Sequence, residues 1–262
     1  MLELRQKELK LGKYPYAYVR TSVMKSLLFR KDDYHKMLKM SFSEIAKFLQ
    51  DSHYKDEINK LGTEYSGADL IEFALNKNLA DSFEKLLKIS PPGLSLLIRK
   101  YAIRKDIDDI KTILRGKFTN TDEKLILNSI TAAGALKFEF LNSLLKTESI
   151  EEILKNNRIV PFSLLEDGIK DLKEKNTLVG IENALDKYYY SHLMEFSKIL
   201  PKAGELFKNF LTKEVEILNI LTLLRLKKTK LDKEAIKRFI IPCGLRGLKI
   251  IKLADVDDLE EF

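Results

Sequence analysis

Apolar residues recur along this chain at steps of three and four, the spacing that gathers side chains on one side of an α-helix. Leu94, Leu97, Ile98 and Tyr101 form one such stripe, and Ile103, Ile107, Ile110 and Leu114 form the next. Strict alternation of apolar and polar positions, the mark of a half-buried strand, is not evident. Glycine and proline gather between the periodic stretches, at Gly62 to Gly67, Pro91-Pro92-Gly93, Gly116, Gly134, Pro161, Pro201 to Gly204 and Pro242 to Gly247. There they stop helices or turn the chain. The pattern predicts an all-α protein made of helices of about 10–20 residues. Start signals agree: Ser41-Phe42-Ser43-Glu44 has capping-box spacing, Ser66 precedes Asp69 in the same way, and Pro91 opens a helix after a stop at Ser90.

The pattern also repeats. Residues 71–134 align with 181–244 at a spacing of 110 without a gap, with 20 identities in 64 positions. Unrelated chains share on the order of one position in fifteen. Pro91 lies over Pro201 and Gly134 over Gly244, and Ile107-Asp108-Asp109-Ile110-Lys111-Thr112 lies over Ile217-Leu218-Asn219-Ile220-Leu221-Thr222. At a spacing of 108, Ser41, Glu44, Ile45 and Lys47 match Ser149, Glu152, Ile153 and Lys155, which carries the duplication upstream. After Gly244 a third copy begins: Leu248 to Phe262 falls where the second has Phe138 to Leu154, with Asp258-Leu259 over Glu152-Ile153. The expected organisation is tandem homologous modules in a partial funnel or horseshoe: residues 1–134, residues 135–243, and residues 244–262 as the start of a truncated third module. That last stretch is expected to be poorly anchored without its partner helices.

Composition narrows the class. Apolar residues make up 45% and charged residues 32% of the 262, a soluble globular balance. The charged opening, Met1-Leu2-Glu3-Leu4-Arg5, and the lack of any long uninterrupted apolar run argue against secretion and membrane insertion. The single cysteine, Cys243, lies over Ala133 and reads as a small core residue in a reducing compartment. A net charge of +7 favours acidic partner surfaces without choosing among them.

Chemistry-bearing motifs are sparse. His35, His53 and His192 are widely separated, so no zinc site is expected. Neighbouring Asp108 and Asp109 point to different helix faces, a poor geometry for a carboxylate dyad, and no phosphate loop or nucleophile elbow occurs. No catalytic residues and no cofactor are expected. Gly244-Leu245-Arg246-Gly247 reads as a turn between modules, and Asp255, Asp257 and Asp258 lack the glycine and closing glutamate of a calcium loop. Tyr188-Tyr189-Tyr190 covers all sides of a helical turn, with one ring expected in the core and the others at an interface rim.

The candidate interface residues are cations at equivalent helix ends: Arg115 and Lys117, repeated as Arg225 and Lys227, with Lys228 and Lys230 beside them. Such cations offset the dipole of the helix carbonyls, worth about 0.3–1 kcal/mol each at a surface. Arginine's fork also suits the carboxylates of a partner, and both roles stay open. Thr112 and Thr222 mark the polar edge of the same helices. The segment from Arg225 to Arg238 carries seven basic residues, either a solvated face or a dock for an acidic partner; without interleaved aromatics, nucleic acid is not expected.

The chain resembles the C subunit of the archaeal-type rotary ATP synthase, homologous to the d subunit of the vacuolar-type ATPase. The resemblance rests on Tyr14-Pro15-Tyr16-Ala17-Tyr18-Val19-Arg20-Thr21-Ser22-Val23-Met24-Lys25-Ser26-Leu27-Leu28 and on the two Ile-x-(Asp/Asn)-Ile-x-Thr-(Ile/Leu)-Leu-Arg-x-Lys stretches. It implies three homologous helical modules around a pseudo-threefold axis, forming a funnel that sits on a membrane proteolipid (c/K) ring and receives the central shaft subunits (D/F type). On that resemblance the chain is a non-catalytic coupling piece of a proton- or sodium-transporting synthase, peripheral on the inner face of the cell membrane. The competing class from the residues alone is a free-standing helical-repeat scaffold for an acidic protein or RNA.

Overall fold

The computed structural model describes residues 11–228 and 233–242, and every regular element among them is helical, as the spacing predicts. The expectations for Lys230, Cys243, the Gly244 to Gly247 turn and the stretch to Phe262 lie outside the described residues. The described residues divide into two compact units, one of residues 13–159 and one that runs from Val160 and includes residues 11–12.

The unit of residues 13–159 carries α1 (Pro15–Ser26), α2 (Lys31–Met37), α3 (Phe42–Gln50), α4 (Lys55–Leu61), α5 (Gly67–Ile89), α6 (Pro92–Phe118), α7 (Glu123–Ser129), α8 (Phe138–Leu145) and α9 (Ile150–Asn156). The capping box at α3 forms: the Glu44 amide donates to Ser41 Oγ at 3.4 Å, and the Ser41 amide donates to the Glu44 carboxylate at 2.8 Å. Ser66 makes no such bond. The chain enters α5 through Gly67 at a φ of +64°, a left-handed turn that an ordinary serine cap does not contain. Leu49, Ile58, Leu70 and Ala74 form a core where α3, α4 and α5 meet, with Phe29, Ile45, Tyr54 and Tyr65 packed around it. Each such aliphatic side chain contributes about 1.5–3 kcal/mol when fully buried.

The two apolar stripes, from Leu94 to Tyr101 and from Ile103 to Leu114, fall on one helix. α6 runs for 27 residues, and α5 and α12 for 23 and 24, longer than the expected 10–20, α11 has 20, and α2, α4, α7, α9 and α13 have only seven. Nothing between Tyr101 and Ile103 breaks a helix. The stripe only changes phase there, because α6 is packed by α5, α7, α8 and α9 on different sides.

The second unit carries α10 (Glu166–Lys175), α11 (Val179–Lys198), α12 (Glu205–Lys228) and α13 (Lys233–Phe239). α10 presses on the first turn of α11 at Gly168, where a Cβ would come within 2.6 Å of the Ile181 amide nitrogen. Of the tyrosine triplet, Tyr189 and Tyr190 are both buried, and Tyr188 lies against His192 with ring centroids 3.9 Å apart. Two rings enter the core where one was expected, because the buried arc of α11 is wide enough to take consecutive positions. α13 packs on α12 through Leu223, Ile236 and Ile240.

Candidate functional site

The expected cations sit at the expected places. Arg115 and Lys117 occupy the last turn of α6, and Arg225, Lys227 and Lys228 the last turn of α12; Lys230 lies outside the described residues. Arg115, Arg225 and Lys228 are exposed. Lys117 Nζ lies 3.6 Å from the Glu123 carboxylate in the first turn of α7. That pair joins the negative end of one helix dipole to the positive end of the next, the local role expected for a helix-end cation. Thr112 donates to the Asp108 carbonyl within its own helix at 3.0 Å, consistent with a polar edge. The two sets of cations belong to different compact units, each at the end of a long helix.

The most elaborate polar arrangement lies about two to three turns earlier on α6. Asp106 and Asp109, one turn apart, are both buried although charged. Asp109 accepts from the amides of Thr131 and Ala132, and Asp106 from those of Ala135 and Leu136, all four at 2.8 Å. The connector between α7 and α8 is thereby clasped to α6. The clasp also holds Ala132 at a φ of +50°, a backbone that an alanine does not adopt freely. Burial pushes both carboxyls up to about 6, against the downward pull of their two amides each. Gly134 is part of the fit, since a Cβ there would lie 2.2 Å from Asp106 Oδ1 and 2.4 Å from Oδ2.

The second copy keeps the device in altered form. Asn219, aligned with Asp109, accepts from the Ile241 amide and donates to the Ile241 carbonyl, both at 2.8 Å. A carboxylate can only accept, so Asp109 binds two successive amides, whereas the amide side chain of Asn219 pairs with both groups of one residue. From α11, Asn183 and Lys187 both donate to the carbonyl of Arg238. In the first unit, Asn76 of α5 likewise donates to the carbonyl of Ser129 at the end of α7.

These carboxylates are aimed at backbone amides of their own chain, so the arrangement fixes a connector instead of handling a substrate. Adjacency along the chain draws attention to Asp108 with Asp109; the structural pair is Asp106 with Asp109. The signal was present in the pattern, because both acids fall among Ile103, Ile107 and Ile110 on the apolar side of the helix. Among the described residues no group of His, Cys, Asp or Glu is gathered as a metal ion would need.

The model of the ATP synthase (C/AC39) subunit family matches residues 17–262. The C subunit of the A-type ATP synthase of Methanosarcina acetivorans is 41% identical over 246 residues, covering 92% of this chain and 66% of that protein. The protein of the same name from Methanosarcina mazei is 39% identical over the same shares, and that from Archaeoglobus fulgidus is 35% identical over 88% of this chain and 66% of its own length. The chain therefore spans a little under two thirds of the length of these relatives.

Proposed function

The chain belongs to the ATP synthase (C/AC39) subunit family, and on that premise we propose that it is a non-catalytic piece of the central stalk of an A-type ATP synthase. In this reading it couples the rotor shaft to the membrane proteolipid ring and handles neither nucleotide nor ion itself. The observation that carries the proposal is the family match along nearly the whole chain. The helical architecture supports it, because a part that transmits torque works by shape, and long helices joined by clasped connectors resist bending at their joints. Among the described residues no helix is long and apolar enough to cross a membrane. We accordingly assign a peripheral position, held on the inner face of the membrane through the shaft subunits and the ring.

On the same reading residues 1–134, 135–243 and 244–262 are successive copies of one module. The opening helices of the second copy, α8 and α9, pack on α6 of the first. The cations at and just beyond the ends of α6 and α12, Arg115, Lys117, Arg225, Lys227, Lys228 and Lys230, are then the patches offered to acidic groups of the shaft. The test is a pull-down of the chain against the other synthase subunits, with mass spectrometry of what is retained. Retention of shaft and ring subunits, weakened by Lys227→Glu with Lys228→Glu while the helical circular dichroism is unchanged, is the expected result. Recovery of none of them, or recovery of an unrelated acidic protein or RNA, favours the scaffold reading and overturns this one.

A further inference from the structure

α1 carries apolar side chains that its own fold leaves uncovered. It buries one residue of its twelve, Ala17, which with the half-buried Thr21 and Met24 forms the side packed on α5. A second stripe, again at steps of three and four, lies on another side: Tyr16, Val19 and Val23, continued by Leu27 just past the helix end, are 64%, 58%, 57% and 52% exposed. On α2, Tyr34 is exposed, as is Leu38 just past its end. Phe29, packed on the core of α3, α4 and α5, meets Tyr34 with ring centroids 6.4 Å apart and so ties the two short helices to that core.

Positive charge is concentrated in the same stretch. Residues 13–40 hold seven Lys and Arg against Asp32 and Asp33, a net +5 of the chain's +7. Both acids sit in the first turn of α2, where Asp33 accepts from the Arg30 amide and lies 3.8 Å from Lys36. Arg20, Lys25, Arg30 and Lys31 form no ion pair with any described residue.

We propose that α1 and α2 form a contact surface for anionic lipid headgroups, with α1 lying on the bilayer. At twelve residues α1 is far short of the roughly 20 that a spanning helix needs. Three observations select lipid as the partner. Unpaired cations beside exposed tyrosines and aliphatic side chains are the pattern that seats a helix at the headgroup boundary, where the long basic side chains reach up to phosphate. The hydroxyls of α1 are already satisfied within the helix: Thr21 donates to the Ala17 carbonyl, Ser22 to that of Tyr18 and Ser26 to that of Val23, at 2.8, 2.8 and 2.7 Å. That lowers the cost of taking this helix out of water. Finally, the apolar side chains belong to two separate short helices. A folded acidic protein would need a groove cut to both, whereas a fluid headgroup layer takes the shape offered. The inference extends the peripheral position proposed above but rests on the surface of α1 and α2, so it can fail while that reading stands.

The test is co-sedimentation of the full chain with protein-free vesicles, either of phosphatidylcholine alone or of phosphatidylcholine mixed with phosphatidylglycerol. Binding is expected only to the anionic vesicles and should weaken as salt is added. Each cation near such a surface is worth about a fivefold change in partitioning, so Arg20→Glu, Lys25→Glu and Arg30→Glu together should lower it by about a hundredfold or more. Lys198→Glu, Lys202→Glu and Lys208→Glu change the net charge equally, and should lower it by less than about fivefold because they stand away from the contact. Val19→Glu with Val23→Glu, both at exposed positions, should abolish binding with the helical circular dichroism unchanged. No binding to anionic vesicles, equal losses from the two triple reversals, or binding that survives the two valine changes each overturns the proposal. Should the variants misfold, the unaltered chain decides: anionic vesicles must slow amide hydrogen exchange over residues 15–28 relative to phosphatidylcholine vesicles, and equal rates overturn the proposal. Retention of shaft and ring subunits in the pull-down, without vesicle binding, removes the lipid contact and leaves the coupling role in place.

Discussion

Gly134→Ala is the most exacting perturbation of the clasp, because it adds one methyl group and removes nothing. The new Cβ would stand 2.2, 2.3 and 2.4 Å from Oδ1, Cγ and Oδ2 of Asp106. Carbon and its neighbours come to rest at about 3.5 Å, so the carboxylate must withdraw by about 1 Å. Its two bonds to the Ala135 and Leu136 amides, 2.8 Å long, cannot survive that displacement. Hydrogen bonds to a charged group are worth about 1.5–3 kcal/mol each, and part of that loss is offset because the buried carboxylate is itself costly to ionise. The expected net destabilisation is about 3 kcal/mol. In urea, with a slope of about 2 kcal/mol per molar, the midpoint followed by far-ultraviolet circular dichroism should fall by about 1.5 M. Asp106→Ala should cost a similar amount by losing the same two bonds. The decisive variant is the double one: with Asp106 shortened to alanine the methyl at residue 134 has room, so the pair should be no less stable than Asp106→Ala alone. Additivity of the two single effects within about 0.5 kcal/mol would refute the clasp as the reason for Gly134.

Asn219→Asp places a carboxylate oxygen against the Ile241 carbonyl, now 2.8 Å from Nδ2, and should destabilise by about 3 kcal/mol near neutral pH. The loss should shrink on acidification, when the protonated carboxyl regains a donor; urea midpoints at the two pH values check it. In the native chain, Asp106 and Asp109 are raised to about 6 from an unfolded value of 3.8, so their protonated forms favour the fold. That contribution is complete below the unfolded value and is lost as pH rises through about 6. Urea midpoints should therefore decline over this range, and Asp106→Ala should flatten the decline. Leu141→Ala empties a site that is 0% exposed and should cost about 2–5 kcal/mol, whereas Leu38→Ala at an 82% exposed position should stay within about 0.5 kcal/mol, both by denaturant titration.

Much of this fold was written in short-range pattern. Residue spacing at three and four fixes helix over strand because it determines which side chains share a face before any partner is present. The capping box at Ser41 was equally legible, since its bonds close within one turn. Helix length was less so. The phase change after Tyr101 looks like a boundary when only one face is considered, and it is a change of neighbour along the 27 residues of α6. The paired carboxylates show the same limit. That Asp106 and Asp109 lie on the apolar side of α6 could be read from their positions, but that they receive four amides from residues 131–136 could not, because those residues are distant along the chain.

By itself, then, the sequence determined the helical class, the duplication, the family and the cations at the helix ends, all of which depend on composition and on spacings within a turn or between aligned copies. The tertiary structure alone decided which of two chemically equivalent faces is covered. Ile110 and Ile220 are the same residue in the same local pattern, and one is buried and the other open because exposure belongs to what packs against a helix, not to the helix.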